Sequence, residues 1–469
     1  MIRLAPRLPL LTLQSAIALA FCLSTATHAD FTLDRRYEMG DGSVTISAGT
    51  FFENAADGQT VGSGFSGPGG PIGGFTGTID SVVGNGPAGD TTGDGEPLIA
   101  ATVGGSLPTY VEYGVGLNPA RPFAADASNN FGIELDGDDW LSAFNLNDPS
   151  IEPAGAFGTG YASYPGTQDR GFQLWVYPTA VTGIGQVVVD DGDEHGLNVT
   201  GAGAWQPEVR ENTQNAGPVA INEWTHIQQV HDSVGLGGAI TYVNGVAAAT
   251  QTLDYDSDEP ASLIVGANSE SSVGAAVTPP DLAAILDPET NLPIDTPDFF
   301  TGIVDELEMF VIDDGTTYGR FDYATDNGYF RNVELPSRNA AYAFVDGNGD
   351  GANDNTWVPG DINFDGAFTP ADIAAFAAGW LSDRADIAGS GPQVGDYTTL
   401  ALGDLDLDGD TDLGDWIQLR IINQAAGAGF AVPSIAELQG VPEPTSLALA
   451  SLAGGVAIAR GDRRRSKLR

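Results

Sequence analysis

One cysteine stands in 469 residues, with only three methionines and four histidines. Cys22 lies in an apolar N-terminal stretch, so the body of the chain has neither a disulfide framework nor a thiolate metal site. Basic residues are scarce: 18 Lys and Arg face 63 Asp and Glu. Residues 30–441 hold 10 basic and 61 acidic residues, a net of −51. That balance excludes nucleic acid as a partner, because phosphate contacts need clustered Lys and Arg. Gly (63) and Pro (28) are abundant, which favours turn-rich β structure over long helices. Carboxylate oxygen is plentiful, and it suits hard cations, calcium first.

Both ends carry targeting signals. Arg3 and Arg7 precede a mostly apolar run, Leu8 to Leu23, and Thr27-His28-Ala29 ends in a small residue. This is the layout of a secretory signal over residues 1–29. At the other end, Val441-Pro442-Glu443-Pro444 leads into the apolar Leu447 to Ala459, then Arg460, Arg463, Arg464, Arg465 and Lys467. Thirteen apolar residues rise about 20 Å as a helix, short of a ~30 Å hydrocarbon core. The order of Pro-Glu-Pro, apolar helix and arginine-rich end resembles the PEP-CTERM sorting signal of bacterial exported proteins, here 441–469. The resemblance implies membrane contact only through this segment before processing, and cleavage by an exosortase. It also implies a final place at the cell surface, outer envelope or extracellular matrix of a bacterium.

Residues 30–335 read as short alternating runs broken by Gly, Asn, Asp and Pro. In Gly171 to Pro178, Phe172, Leu174 and Val176 share one face, and Gln173, Trp175 and Tyr177 the other. Asn244-Gly245 between two β-branched runs signals a two-residue hairpin. Ile303 to Ile312 predicts a long strand. Many short strands predict a β-sandwich. The series Phe131–Trp140, the Trp175 strand, Trp224-Thr225-His226-Ile227, Tyr242–Gly245, Leu263–Gly266 and Phe300–Glu306 resembles the LamG-like, concanavalin-type jelly roll. Members of that family bind carbohydrate or protein, and some hold a structural calcium. The resemblance places Asp136 and Asp305 near the sheet ends as candidate metal ligands, with turn chemistry as the alternative.

The same fold hosts glucanases with a Glu-x-Asp-x-x-Glu strand. Here Glu134 and Asp136 lie two apart on one face, weak catalytic candidates, with Asp139 in place of the third acid. His226 and His231, five apart on a predicted strand, face opposite sides. His195 stands alone beside the acidic run 190–194. No Ser-His-Asp arrangement, zinc-binding helix or phosphate loop is present in the sequence.

The sharpest pattern is a repeated dodecapeptide. Asp361, Asn363, Asp365, Ala367 and Asp372 occupy positions 1, 3, 5, 7 and 12 of the first copy. Asp404, Asp406, Asp408, Asp410 and Asp415 occupy the same positions of the second, and Gly366 and Gly409 stand at position 6. Side-chain oxygens at 1, 3, 5 and 12, with a backbone carbonyl at 7, are what a calcium ion takes from such a loop. Each copy precedes an apolar helical stretch: Ile373, Phe376, Ala377 and Trp380, then Trp416, Ile417, Leu419 and Ile421. Two loop–helix units resemble a type I dockerin over 358–425, with an inserted connector at Ser382 to Thr399. The resemblance implies a cohesin-like partner met near positions 10 and 11, here Pro370, Ala371, Leu413 and Gly414. Position 12 is Asp rather than Glu, as is typical of dockerin loops. A third acidic run, Asp346 to Asp354, ends without a closing carboxylate. It lies in an expected acidic linker, 336–357; a second linker is expected at 426–440.

The expected architecture is mainly β: a jelly-roll sandwich followed by a small helical calcium module. The expected function is an exported calcium-binding protein that recognises a polysaccharide or surface protein. A dockerin-bearing polysaccharide hydrolase and a purely structural coat protein are the alternatives.

Overall fold

The computed structural model describes residues 31–37, 39, 44–45, 52–53, 83–84, 98–102, 107–116, 118–121, 131–143, 170–189, 195–209, 212–232, 236–252, 263–267, 298–312, 323–325, 327–343, 345, 355–385 and 387–439. The expected signal (1–29), the sorting segment (441–469) and the acidic runs 346–354 and 190–194 lie outside these residues. Among the described residues no helix is long and apolar enough to cross a membrane.

The strands run β1 (Phe31–Tyr37), β2 (Val44–Thr45), β3 (Phe52–Glu53), β4 (Val83–Gly84), β5 (Leu98–Thr102) and β6 (Thr109–Glu112). Then come β7 (Phe131–Asp136), β8 (Asp139–Ala143), β9 (Arg170–Pro178), β10 (Gly185–Val189), β11 (His195–Val199), β12 (Trp205–Val209) and β13 (Asn212–Thr213). The series ends with β14 (Thr225–Asp232), β15 (Gly238–Val243), β16 (Val246–Gln251), β17 (Ile264–Val265), β18 (Thr301–Ile312) and β19 (Ala388–Gly389). One sheet runs β19-β16-β15-β14-β9-β18-β1-β4, with β7 and β6 attached beside β18. A second runs β13-β12-β11-β10-β17-β8-β5, and β2 and β3 pair with each other. The long β18 is the spine: β9 lies along one edge, while β7 and β1 share the other.

The alternation read from sequence sets this packing. Phe172, Leu174 and Val176 of β9 enter the core between the sheets, with Ile133, Leu135, Val188, Leu197, Trp205, Ile227 and Val304. Each such apolar side chain contributes about 1.5–3 kcal/mol by leaving water. Asn244 and Gly245 both take positive φ (51° and 77°), as a two-residue turn between β15 and β16 requires.

From Tyr323 onward the described residues fold onto the outer face of the first sheet. A π-helical turn, Phe330–Glu334, runs into α1 (Leu335–Arg338) and a 3-10 turn, Ala340–Tyr342. Then come α2 (Pro370–Gly379), α3 (Tyr397–Leu400), α4 (Leu413–Ala425) and α5 (Ile435–Leu438). A second core joins Phe330, Leu335, Tyr342, Trp357, Phe364, Phe376, Leu407, Leu419 and Leu438.

This corrects three expected boundaries. Ala324, Phe330 and Leu335, expected within the sandwich, pack into this second core, while Tyr323 packs against sandwich strands. The expected linker 336–357 supplies Tyr342 and Trp357 to the module's core, and the linker 426–440 supplies α5 and Leu438. These apolar residues found a surface to bury, which their acidic surroundings did not disclose.

Candidate metal centre and the other candidate sites

The two dodecapeptides fold alike around their position-1 and position-12 carboxylates. At position 1, Asp361 accepts from the N–H groups of Asp365 (3.0 Å) and Gly366 (2.7 Å). Its counterpart Asp404 accepts from Asp408 (3.1 Å) and Gly409 (3.0 Å). At position 12, Asp372 accepts from the N–H groups of Ile362, Asn363 and Thr369. Asp415 accepts from Leu405, Asp406 and Asp412, the same three places. The bend is the same too: position 4 is left-handed (Phe364 φ 57°, Leu407 φ 54°), and so is the glycine at position 6 (φ 91° and 100°). Glycine meets that second demand without a Cβ penalty.

Position 12 does a second task. Thr369 caps α2 and Asp412 caps α4, each in a reciprocal capping box with its position-12 aspartate. The closing carboxylate therefore sits in the first turn of a helix, where the macrodipole favours negative charge.

All four carboxylates at positions 1 and 12 are fully buried. Asn363, Asp365 and Ala367 are exposed, while Asp406, Asp408 and Asp410 are half-buried. Carboxylate oxygens of Asp404, Asp406 and Asp408 lie within 4.8 Å of one another, as do those of Asp410, Asp412 and Asp415. Without a cation this crowding is costly. Burial, with Asp415 and Asp408 nearby, pushes Asp404 up to about 7, and burial pushes Asp415 up to about 6. Asp361 is raised by burial, and Asp410 by burial and four neighbouring acids. The donor set is oxygen throughout, and Asp410 Oδ1 is enclosed with no hydrogen-bond donor. An oxygen-seeking cation fits both facts.

Sequence reasoning missed the residues that brace the loops. Tyr342 donates to Asp361 Oδ2 at 2.7 Å, and the Trp357 indole donates to the Asp361 carbonyl. The Thr399 hydroxyl bonds Asp404. The two capping boxes were missed as well, although a signal for them was present: Thr369 and Asp412 each stand three residues before an aspartate.

The three glucanase-like acids stand in different surroundings. Glu134 and Asp136 are exposed at the outer end of β7, but Asp139 is buried in the following hairpin. Its Oδ1 accepts the Asp136 N–H at 3.0 Å, and burial followed by the Asp136 charge pushes it up to about 7. Nor does the structure bring Asp136 and Asp305 together. Asp136 pairs with Thr301, and Asp305 lies four residues further along β18. Asp305 is buried at a bulge, 2.9 Å from Arg121 Nε, so a guanidinium stands where a metal would. Arg121 also lies over the Trp175 and Tyr113 rings.

His226 faces outward against Trp175, pushed down to about 3 by burial and then Arg121. His195 is not solitary: its ring lies 4.4 Å from that of His231 across the sandwich, with the Arg170 guanidinium on its Nδ1. Burial and that cation hold His195 well below its ordinary value. At one end of the outer face, Trp224 packs 5.3 Å from both Tyr113 and Tyr177. Trp224 and Tyr177 remain half-buried beside the exposed turn 221–223.

The chain carries a concanavalin-like domain: residues 156–278 match the Laminin_G_3 family, described as Concanavalin A-like lectin/glucanases superfamily. No curated protein matches this chain. Domain 4 of AbnA, an arabinanase from Geobacillus stearothermophilus in complex with arabinotriose, aligns at 14% identity. The alignment covers 44% of this chain and 84% of that one, with a TM-score of 0.24. The CBM40 of the Ruminococcus gnavus IT-sialidase, bound to sialyllactose, aligns at 15% identity over 39% and 91%, TM-score 0.26. A Trypanosoma rangeli sialidase aligns at 9% over 48% and 33%, TM-score 0.26.

Proposed function

We propose that this is an exported calcium-binding protein of the cell surface or matrix, with a polysaccharide-recognising sandwich and a helical module ordered by two calcium ions. The observation that carries the reading is the duplicated loop: two dodecapeptides with the same buried carboxylates and the same backbone bonds to them. Asp361, Asn363, Asp365, the Ala367 carbonyl and Asp372 would hold one ion. Asp404, Asp406, Asp408, the Asp410 carbonyl and Asp415 would hold the other. A bound calcium supplies the positive charge that these desolvated carboxylates lack. The loop's own N–H groups aim the position-1 and position-12 carboxylates inward, and the capping boxes fix where each helix starts.

Polysaccharide recognition is supported by the lectin/glucanase family match and by the Tyr113–Tyr177–Trp224 cluster, whose rings offer apolar faces beside a polar turn. The dockerin resemblance supports attachment to a cohesin-like or other surface partner, and Pro370, Ala371 and Leu413 are exposed for it. The terminal signals support export and exosortase processing.

Equilibrium dialysis of the purified full chain tests the calcium reading. Two ions per chain are expected, and none bound at millimolar supply would sink it. A panel of polysaccharides tests the sandwich, with Trp224→Ala expected to weaken capture. Calcium binding with no capture would favour the structural coat protein instead.

A further inference from the structure

The stretch between the two loops, residues 382–396, lies between two partners. On one side it holds the second loop. The Gly395 N–H donates to the carbonyl at position 4 (Leu407, 2.7 Å) and the Arg384 N–H to that at position 6 (Gly409, 2.9 Å). Thr411 at position 8 donates its N–H to the Ser382 carbonyl, so these last two bonds set Asp383 opposite Asp410 at position 7. On the other side it extends the sandwich. Ala388 and Gly389 pair in parallel with Ala249 and Thr250 of β16, and the Ser390 N–H donates to the Thr250 carbonyl. Asp396 Oδ2 accepts the Ala247 N–H at 2.8 Å and pairs with Arg384, while its Oδ1 caps α3.

The approach is close enough to demand glycine. A Cβ on Gly389 would overlap the Thr250 carbonyl, one on Gly391 the Gln251 backbone, and one on Gly395 the Asp404 carboxylate. Val394 and Ile387 complete an apolar cluster with Ile240, Tyr242 and Ala247.

We propose that the second loop's partner is the sandwich of its own chain, and that an ion in that loop clamps the 382–396 strap against the β16 edge. This rests on the calcium reading above, and it adds a partner and a consequence. The strap bonds to backbone at positions 4, 6 and 8 of the turn that must close around an ion, so loop and sheet edge order together. By linkage, whatever the ion does for the strap, the docked strap does for ion affinity. The first loop makes none of these bonds and is the internal control.

Hydrogen exchange of the full chain, metal-free and with calcium, reads the clamp at the Ala247 and Ser390 amides. Calcium is expected to slow both by about 5–150-fold. Gly389→Val is expected to weaken one of the two calcium sites by a similar factor and leave the other unchanged. Gly391→Ala, a smaller intrusion, gives the same readout should the valine variant fold poorly. Two bound ions with unchanged exchange at both amides would overturn the clamp and leave the calcium reading standing. No bound calcium would overturn both.

Discussion

Removing metal should reverse the usual response of a folded module to pH. The argument turns on Asp404, which is fully buried and accepts two backbone N–H bonds beside Asp408 and Asp415. Burial pushes its carboxyl from the ordinary 3.8 up to about 7. Between those values the unfolded chain has released the proton and the folded chain still holds it. Raising pH therefore favours unfolding: the protonated site is fully tolerated below about pH 4, and the penalty is complete above pH 7. At ~1.4 kcal/mol per pH unit, about 3 kcal/mol of stability is lost between pH 5 and pH 8. Asp415, raised to about 6 by burial, adds to the same slope.

Calcium should flatten that slope, because it binds the deprotonated carboxylates. At a hundred times its dissociation constant an ion adds about 2.7 kcal/mol, and protons compete with it below pH 7. The assay is urea unfolding of full-length protein at pH 5, 6, 7 and 8, metal-free and with calcium. Tryptophan fluorescence follows both parts of the chain, the module through Trp357, Trp380 and Trp416. Metal-free stability that is level or rises from pH 5 to 8 would refute the reasoning, as would an equal calcium gain at both ends.

Arg121→Met removes the guanidinium paired with the buried Asp305 carboxylate and should cost about 3–5 kcal/mol; adding Asp305→Leu should restore most of it in a double-mutant cycle by chemical denaturation. Asp139→Asn keeps a carbonyl acceptor for the Asp136 N–H but removes a desolvated charge. It should therefore stabilise the sandwich at pH 8 by about 1–3 kcal/mol and do almost nothing near pH 4, measured by thermal unfolding at each pH. Thr369→Ala and Asp412→Ala each remove a helix cap that also orients position 12. Each should cost about 1 kcal/mol and weaken one of the two proposed calcium sites, read by calorimetric titration.

Local chemistry was legible in the sequence, and packing between distant segments was not. The loops declare themselves because their oxygens recur at fixed intervals and the chain bends at a glycine, constraints that act within twelve residues. The Asn244-Gly245 turn and the alternation of β9 are equally local. β14 shows the opposite case. Its pattern gives no hint that all eight residues are buried, because the cover on its outer face comes from chain about a hundred residues later. Tyr329 closes over Trp175 and His226, and Tyr323 bonds Asp232. The meeting of His195 with His231 is likewise a product of two sheets stacking, which no spacing encodes.

That cover bears on where a ligand can bind. A sandwich reads sugar on a sheet face or at its loop ends, and here the middle of the outer face is filled. Gln173, a natural hydrogen-bond partner for a hydroxyl group, instead accepts the Gly328 N–H and donates to Glu308. Trp175, the large aromatic on that face, is 5% exposed. An extended polysaccharide running across β9 and β14 would have to displace the 327–342 segment and the second core attached to it. The Tyr177–Trp224 end needs no such displacement, so recognition there is compatible with a docked module. Should Trp224→Ala leave polysaccharide capture intact while a Tyr329→Ala variant strengthens it, the site lies under the cover, and the module is its gate rather than its neighbour.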